Sequence, residues 1–336
     1  STCRNCACAR WRWPDVYTNT YFSGPFAPMC DAFVAQLHSL GRAYKQQAML
    51  LRMFDNFSKG YSIQGFTITE ELASAWSKKR PNETESTRHS RVGEMHRFAR
   101  FLERQGHPSF LLSAKMPRKS SHLPYIFNSG EIRRIFDYTS ALKPSPASRL
   151  MHHSIPAVIK ILYGCGLRIS EVFALQVRDV NLEHGVLHVR HGKNDHERLV
   201  PMSSTLTDTC RAYGAQALTG VNDFAPFFFN RKREPCSPGD FGRRFRQILW
   251  EVGIPYYGKD RGPRLHDLRH TFVCHRLNQW VKENADLNAL LPVLSAYLGH
   301  ANLTSTYYYL RLTAEVYPDI TSKLEERLGH IFPEID

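Results

Sequence analysis

Residues 265–272 read L-H-D-L-R-H-T-F, and residues 164–171 read G-C-G-L-R-I-S-E. His266 and Arg269 stand three apart, as do Arg168 and Glu171, a spacing that places two side chains on one face of a helix. Between these strings lies H-G-K-N-D-H-E-R-L-V-P at 191–201, where apolar runs flank a turn-prone segment around Lys193. L-G-H at 298–300 follows, then three consecutive tyrosines, Tyr307, Tyr308 and Tyr309. Taken singly, each feature has an ordinary explanation. Arg168 can be neutralised within its own helix by Glu171, and a histidine in a chain with 16 of them is unremarkable.

Together the residues suit one chemical problem, the attack of a phenol oxygen on a phosphodiester without a metal. Guanidinium groups match the equatorial oxygens of such a transition state through paired, charge-assisted hydrogen bonds. A phenol with a pKa near 10 is only about 0.1% ionised at neutral pH, so it needs cationic neighbours or a base, and His266 is the best placed. The departing alkoxide needs a proton, which Lys193 at a hairpin tip could deliver. Successive residues on a helix point about 100° apart, so only one of the three tyrosines can face the phosphate.

The rest of the chain provides the setting. At 336 residues it exceeds one typical domain, and 42% hydrophobic content argues against wholesale disorder. The longest apolar stretches are too short or too interrupted for a membrane span. No apolar signal segment follows Arg4, Arg10 and Arg12, so a cytoplasmic, nucleoid-associated protein is expected. The net charge of +13 is uneven, with +9 in residues 1–125 and +4 in residues 126–336, and a basic first third fits a polyanionic partner. Cys3, Cys6 and Cys8 have the look of half a zinc site, with Cys30 available as a fourth ligand. No second close pair follows, so the expectation is free thiols with no metal and no cofactor.

The hydrophobic pattern predicts an irregular Cys-rich leader over 1–24 and a helical, DNA-binding unit over 25–112. Its helices fall near 29–41, 42–57, from Thr69, and 85–105. Basic, Ser- and Pro-containing residues 113–125 read as a linker. Residues 126–330 form the larger unit, mostly helical apart from two or three short strands between 179 and 201. The fold class is mainly α with a small β-sheet (α+β). Lys45, Arg88, Arg91, Arg100, Lys115, Arg118 and Lys119 are the candidate DNA contacts. The tail 314–331 carries an apolar stripe that could dock on its own unit or on a neighbouring protomer.

Over residues 25–330 the chain resembles the tyrosine recombinase (phage integrase) family, on the four strings quoted and the tyrosine after them. That resemblance implies a C-shaped clamp on DNA made of a core-binding domain and a catalytic domain. It implies that Arg168 and Arg269 bind the scissile phosphate and that Lys193 protonates the 5′ oxygen. It further implies that His266 assists proton transfer and that His300 hydrogen-bonds the phosphate. The family places its nucleophile nine residues after the L-G-H histidine, which selects Tyr309, with Tyr308 as the fallback. Glu171 occupies the family's usual acidic position, in support of Arg168.

The implied reaction is site-specific recombination of double-stranded DNA through a 3′-phosphotyrosyl intermediate and a Holliday junction. It would be carried out by a homo-tetramer joined through C-terminal helices docked in trans, with or without a second recombinase. The long approach to His300 and the S-T-Y-Y-Y-L ending resemble integrases of transposons and other mobile elements. Relaxation of DNA in the manner of a type IB topoisomerase, resolution of chromosomes or plasmids in the Xer manner, and a DNA-binding module without catalysis are the alternatives.

Overall fold

The computed structural model describes residues 22–42, 44–111, 123–144, 150–190, 197–256, 262–300, 302 and 304–317. Cys3, Cys6, Cys8, Lys115, Arg118, Lys119, Lys193 and the tail beyond Tyr317 lie outside the described residues. The chain divides into two compact units, Ser1–Ser121 and His122–Asp336. The elements are mostly helical with one small sheet, the expected class.

The first unit contains α1 (Ala27–Ser39), α2 (Lys45–Ser58), α3 (Glu70–Ser77) and α4 (Glu85–Arg104). α1 begins two residues before the predicted start because Pro28, which lacks an N–H, suits a first turn. The Asp55 carboxylate of α2 accepts hydrogen bonds from the backbone of Ser23, Gly24 and Phe26, fixing the entry to α1. Thr69 and Thr84 cap α3 and α4 by accepting from Leu72 and Thr87. Phe26, Phe33, Phe54, Trp76 and Phe98 form an aromatic core, with ring centroids 5.3–6.4 Å apart.

One sequence expectation is corrected in this unit, and one alternative weighed there is set aside. Arg91, read as a DNA contact, is 1% exposed. Its guanidinium bonds both Glu83 carboxylate oxygens at 2.8 and 2.9 Å and the Lys78 carbonyl at 3.1 Å, and it also donates to the Trp76 carbonyl. Buried and with four of its five N–H groups engaged, it is not presented to a phosphate at the surface; its work is to hold the 77–84 loop against α4. Cys30, read as a possible metal ligand, is fully buried beside Asp55, and burial pushes its thiol far above the ordinary value. A neutral thiol enclosed by aromatic rings is a core residue, not a ligand.

Arg91→Ala would leave a buried carboxylate and two carbonyls unpaired, a loss of about 3–5 kcal/mol for a broken buried pair. The urea midpoint of the helical unit should fall accordingly, whereas alanine at exposed Arg100 should leave it unchanged.

The second unit contains α5 (Ser129–Ser140), α6 (Met151–Gly164), α7 (Ile169–Ala174), a three-stranded sheet, α8 (Ser204–Ala217), α9 (Pro238–Glu251), α10 (Asp267–Lys282), α11 (Leu287–Leu298) and α12 (Thr304–Val316). Strands β1 (Val180–Asn181), β2 (Val186–Val189) and β3 (Arg198–Pro201) are antiparallel in the order β1-β2-β3, with Leu187 opposite both Val180 and Val200. Apolar α6 is the central element, packed against α5, α8 and α10. Its Ile155, Val158, Ile159, Ile161 and Leu162 are all buried. α12 packs against α10 and α11, and this brings the tyrosines onto the helix that opens with the L-H-D-L-R-H-T-F string.

Candidate active site

The two arginine motifs lie at helix starts, not along helix faces. Arg168 occupies the N-cap of α7, with its φ and ψ in the extended region. Glu171, three residues on, accepts from the Arg168 backbone N–H at 2.9 Å and from its guanidinium at 2.7 Å. One carboxylate thereby closes the first turn and aims the arginine. His266 occupies the N-cap of α10, and the Asp267 carboxylate accepts from the Arg264 N–H at 2.7 Å. Arg269 follows in the first turn and is 2% exposed.

Arg269 is held by backbone. Its two terminal nitrogens donate to the Gly166 carbonyl at 2.6 Å and the Leu298 carbonyl at 2.9 Å. Those carbonyls belong to the turn before Arg168 and the end of α11, so one guanidinium ties three motifs together. Gly166 has φ +60, and a Cβ on it would stand 2.6 Å from the Phe272 ring, so no other residue can present this carbonyl. A guanidinium has five N–H donors, so donors remain for a substrate anion after both carbonyls are served.

The tyrosines separate as helical geometry requires. Tyr309 is 4% exposed and belongs to the apolar cluster of α10, α11 and α12, whereas Tyr308 is 46% exposed and Tyr307 packs at the cluster's edge. The Tyr309 ring stacks on His300 at 5.9 Å with an interplanar angle of 7°, and lies 5.4 Å from His270. His270 in turn meets the His266 ring at 4.8 Å. Burial raises the Tyr309 phenol above its ordinary value, while the Arg269 charge and a hydrogen bond from its guanidinium pull it down. The phenol is therefore protonated at rest, beside imidazoles.

Both imidazoles are held neutral. Partial desolvation, then the charges of Arg269 and Arg168, push His266 down to about 4, although its ring reaches solvent. The same causes, with Arg198 added, push half-buried His300 down to about 4. His300 Nδ1 lies 2.9 Å from the hydroxyl of buried Thr306. A hydroxyl donating to Nδ1 leaves the proton on Nε2, the tautomer able to donate to an anion.

These shifts carry a pH signature. An unfolded histidine titrates near 6.5, so between pH 6.5 and about 4 the unfolded chain takes up protons that folded His266 and His300 refuse. Stability contributed by these sites is complete above pH 6.5 and is lost as pH falls toward 4. Urea midpoints of the DNA-free protein should decline over that window. His266→Gln with His300→Gln should flatten the decline, leaving the part due to partly buried His96, His153 and His275, which are shifted the same way.

Of the expected site residues, Arg168, His266, Arg269, His300, Tyr309 and Glu171 thus converge, and Lys193 lies outside the described residues. Among the DNA candidates, Arg100 is exposed. Arg88 is partly engaged, donating to the Ser77 carbonyl at 2.8 Å, and the Lys45 side chain is outside the described residues. Three contributors escaped the sequence reading: His270, Thr306 and Arg198. Arg198 had a signal, since period-two alternation with buried Val200 turns it inward on β3 while Leu199 points out at 65% exposure.

The phage integrase family profile matches residues 127–315, more than half of the chain. The chain belongs to the phage integrase family. This recombinase is 32% identical over 298 residues to a Sinorhizobium fredii protein named as an integrase/recombinase, y4rE, covering 87% of this chain and 93% of that one. It is 30% identical over 207 residues to the tyrosine recombinase XerA of Pyrococcus horikoshii, covering 60% of this chain and 61% of that one. Its fold is shared with the Tn1549 transposon integrase solved in complex with transposon right-end DNA, at a TM-score of 0.60 and 15% identity over 84% of this chain and 94% of that one. A lambda integrase bound to a core site gives a TM-score of 0.58, also at 15% identity, over 84% and 94%. The family activity is site-specific DNA breaking and rejoining by a tyrosine. Among the described residues no helix is long and apolar enough to cross a membrane.

Proposed function

We propose that the recombinase cuts and rejoins DNA with Tyr309 as nucleophile and Arg168 and Arg269 as the phosphate clamp, in the service of a mobile element. The observation that carries the assignment is the buried Tyr309 ring, stacked on His300 and within the field of Arg269, an arginine that is itself fixed to two carbonyls. In the first step the Tyr309 oxygen bonds to the scissile phosphorus as the bond to the 5′ oxygen breaks. The phenol proton passes toward neutral His266, and the leaving oxygen takes a proton from Lys193. The guanidiniums neutralise the charge that builds on the non-bridging oxygens, where preorganised donors act most strongly. In the second step a 5′-hydroxyl of the partner duplex attacks the phosphotyrosine and frees Tyr309. One phosphoester is exchanged for another, so no external energy source is needed.

Two duplex sites with two arms each call for four protomers, and the tail 314–331 is the segment proposed to dock between them. The basic residues Arg100, Arg88, Lys45, Lys115, Arg118 and Lys119 are the proposed phosphate contacts of the helical unit and the segment after it. The mobile-element setting is supported by the y4rE relative, which matches along nearly its whole length, and by the long approach to His300.

Covalent capture tests this reading. Wild-type protein incubated with a random-sequence pool of nicked duplexes should select a site and remain attached to its 3′ end, in excess chelator as without it. Two duplexes bearing that site should then exchange strands. Relaxation of any supercoiled plasmid without partner exchange, or binding without attachment, would overturn it.

A further inference from the structure

Arg198 lies where three motif-bearing segments meet, and the family strings alone do not give it a role. It opens β3, the strand that returns from the 191–196 segment. Its side chain is 9% exposed and donates to Glu171 at 2.9 Å and, more weakly, at 3.4 Å. Its Nε donates at 2.8 Å to the carbonyl of Tyr297, in the last turn of α11. The guanidinium then slides beneath Gly299, whose φ is +65 and whose missing Cβ would stand 2.8 Å from Nη1.

Glu171 consequently serves two guanidiniums. Burial alone would raise its pKa, yet the hydrogen bond from Arg198, followed by the Arg168 N–H and the two charges, holds it below the ordinary carboxylate value. It stays an anion and stays in place. Without Arg198, Glu171 is free to follow Arg168 alone, and the Leu298–His300 turn loses its tie to α7. Arg269, which binds Gly166 and Leu298, would still link those segments, but without a contact to Glu171.

We infer that Arg198 is a positioning residue for the reaction: it braces Glu171 behind Arg168 and sets the height of the Gly299–His300 turn, so that Arg168 and His300 meet one phosphate in register. This rests on the phosphate-binding roles given above to Arg168 and His300. Lysine cannot replace it, since a single ammonium cannot span a carboxylate and a carbonyl with fixed planar geometry.

The test compares Arg198→Gln and Gly299→Ala with wild type on the selected nicked duplex, made with either a normal phosphodiester or a neutral methylphosphonate at the scissile position. Both variants are expected to bind the duplex within about threefold of wild type and to form the covalent complex on the order of 100-fold more slowly, the loss typical of a displaced transition-state donor. On the methylphosphonate, one non-bridging oxygen no longer carries charge and Arg168 has less to neutralise, so the penalty should shrink at least roughly tenfold. An equal penalty on both substrates would make the defect general and overturn the inference. So would wild-type rates in both variants, or loss of cooperative melting in both, which would make Arg198 an architectural residue. If wild-type protein itself fails to attach to the phosphodiester, the recombinase reading falls instead, so the two failures are distinguishable.

Discussion

Tyr309→Phe is expected to bind the selected duplex with wild-type affinity and to form no covalent complex at all. The ring is part of the α10–α11–α12 core, and phenylalanine keeps its volume and its stack on His300. Stability should change by no more than about 1 kcal/mol, the net worth of one hydrogen bond. What disappears is the phenol oxygen on the ring that stacks on His300 and feels the charge of Arg269. Tyr308 cannot substitute, because it projects about 100° away along the helix and is 46% exposed. Electrophoresis of trapped complexes after denaturation reads the result directly. Attachment persisting in Tyr309→Phe and vanishing in Tyr308→Phe would move the nucleophile by one residue.

The second large effect belongs to Arg269. Arg269→Lys keeps the charge but not the fork, and an ammonium cannot reach the Gly166 and Leu298 carbonyls while also facing the phosphate. Covalent attachment should fall by roughly 1,000-fold, at the upper end of what one preorganised donor contributes, with DNA affinity nearly unchanged because exposed lysines and arginines dominate that affinity. Two buried carbonyls also lose partners, at roughly 1–3 kcal/mol each, so the variant should melt earlier. The two effects separate by temperature. Cooling restores the folded population and not the rate of attachment, and a rate that recovered on cooling would reduce Arg269 to a structural tie.

Which residues the fold brings together is more legible in the sequence than the local geometry that holds them. Arg168, His266, Arg269, His300 and Tyr309 were legible because each stands in a local string with a fixed offset, and the offset from His300 separated Tyr309 from its neighbours. Helix-face reasoning then misplaced the motif starts. An i, i+3 pair is the same in sequence whether it lies along a helix or closes its first turn; the extended backbone of Arg168 marks the turn at α7, and the start of α10 at Asp267 marks it for His266, whose own angles are helical. Arg91 was misread although its register gave warning. It shares a helix face with Met95, Phe98 and Leu102, all buried, and that position outweighs its charge. Arg198 escaped because its partners are remote, at 27 and 99 residues' separation, and no local pattern announces a bond to a backbone carbonyl.

The attachment of Arg269 to the carbonyls of Gly166 and Leu298 bears on how such a site survives change. A carbonyl oxygen is supplied by every amino acid, so the clamp asks nothing of the side chain at 298 beyond fitting the core, and asks of 166 only that it be glycine. Most of the surrounding sequence can therefore drift without touching the geometry of the proposed phosphate clamp. A scaffold whose critical contacts are written in main-chain atoms can be carried from one DNA address to another, with the reading surface rewritten and the cutting machinery left as it was.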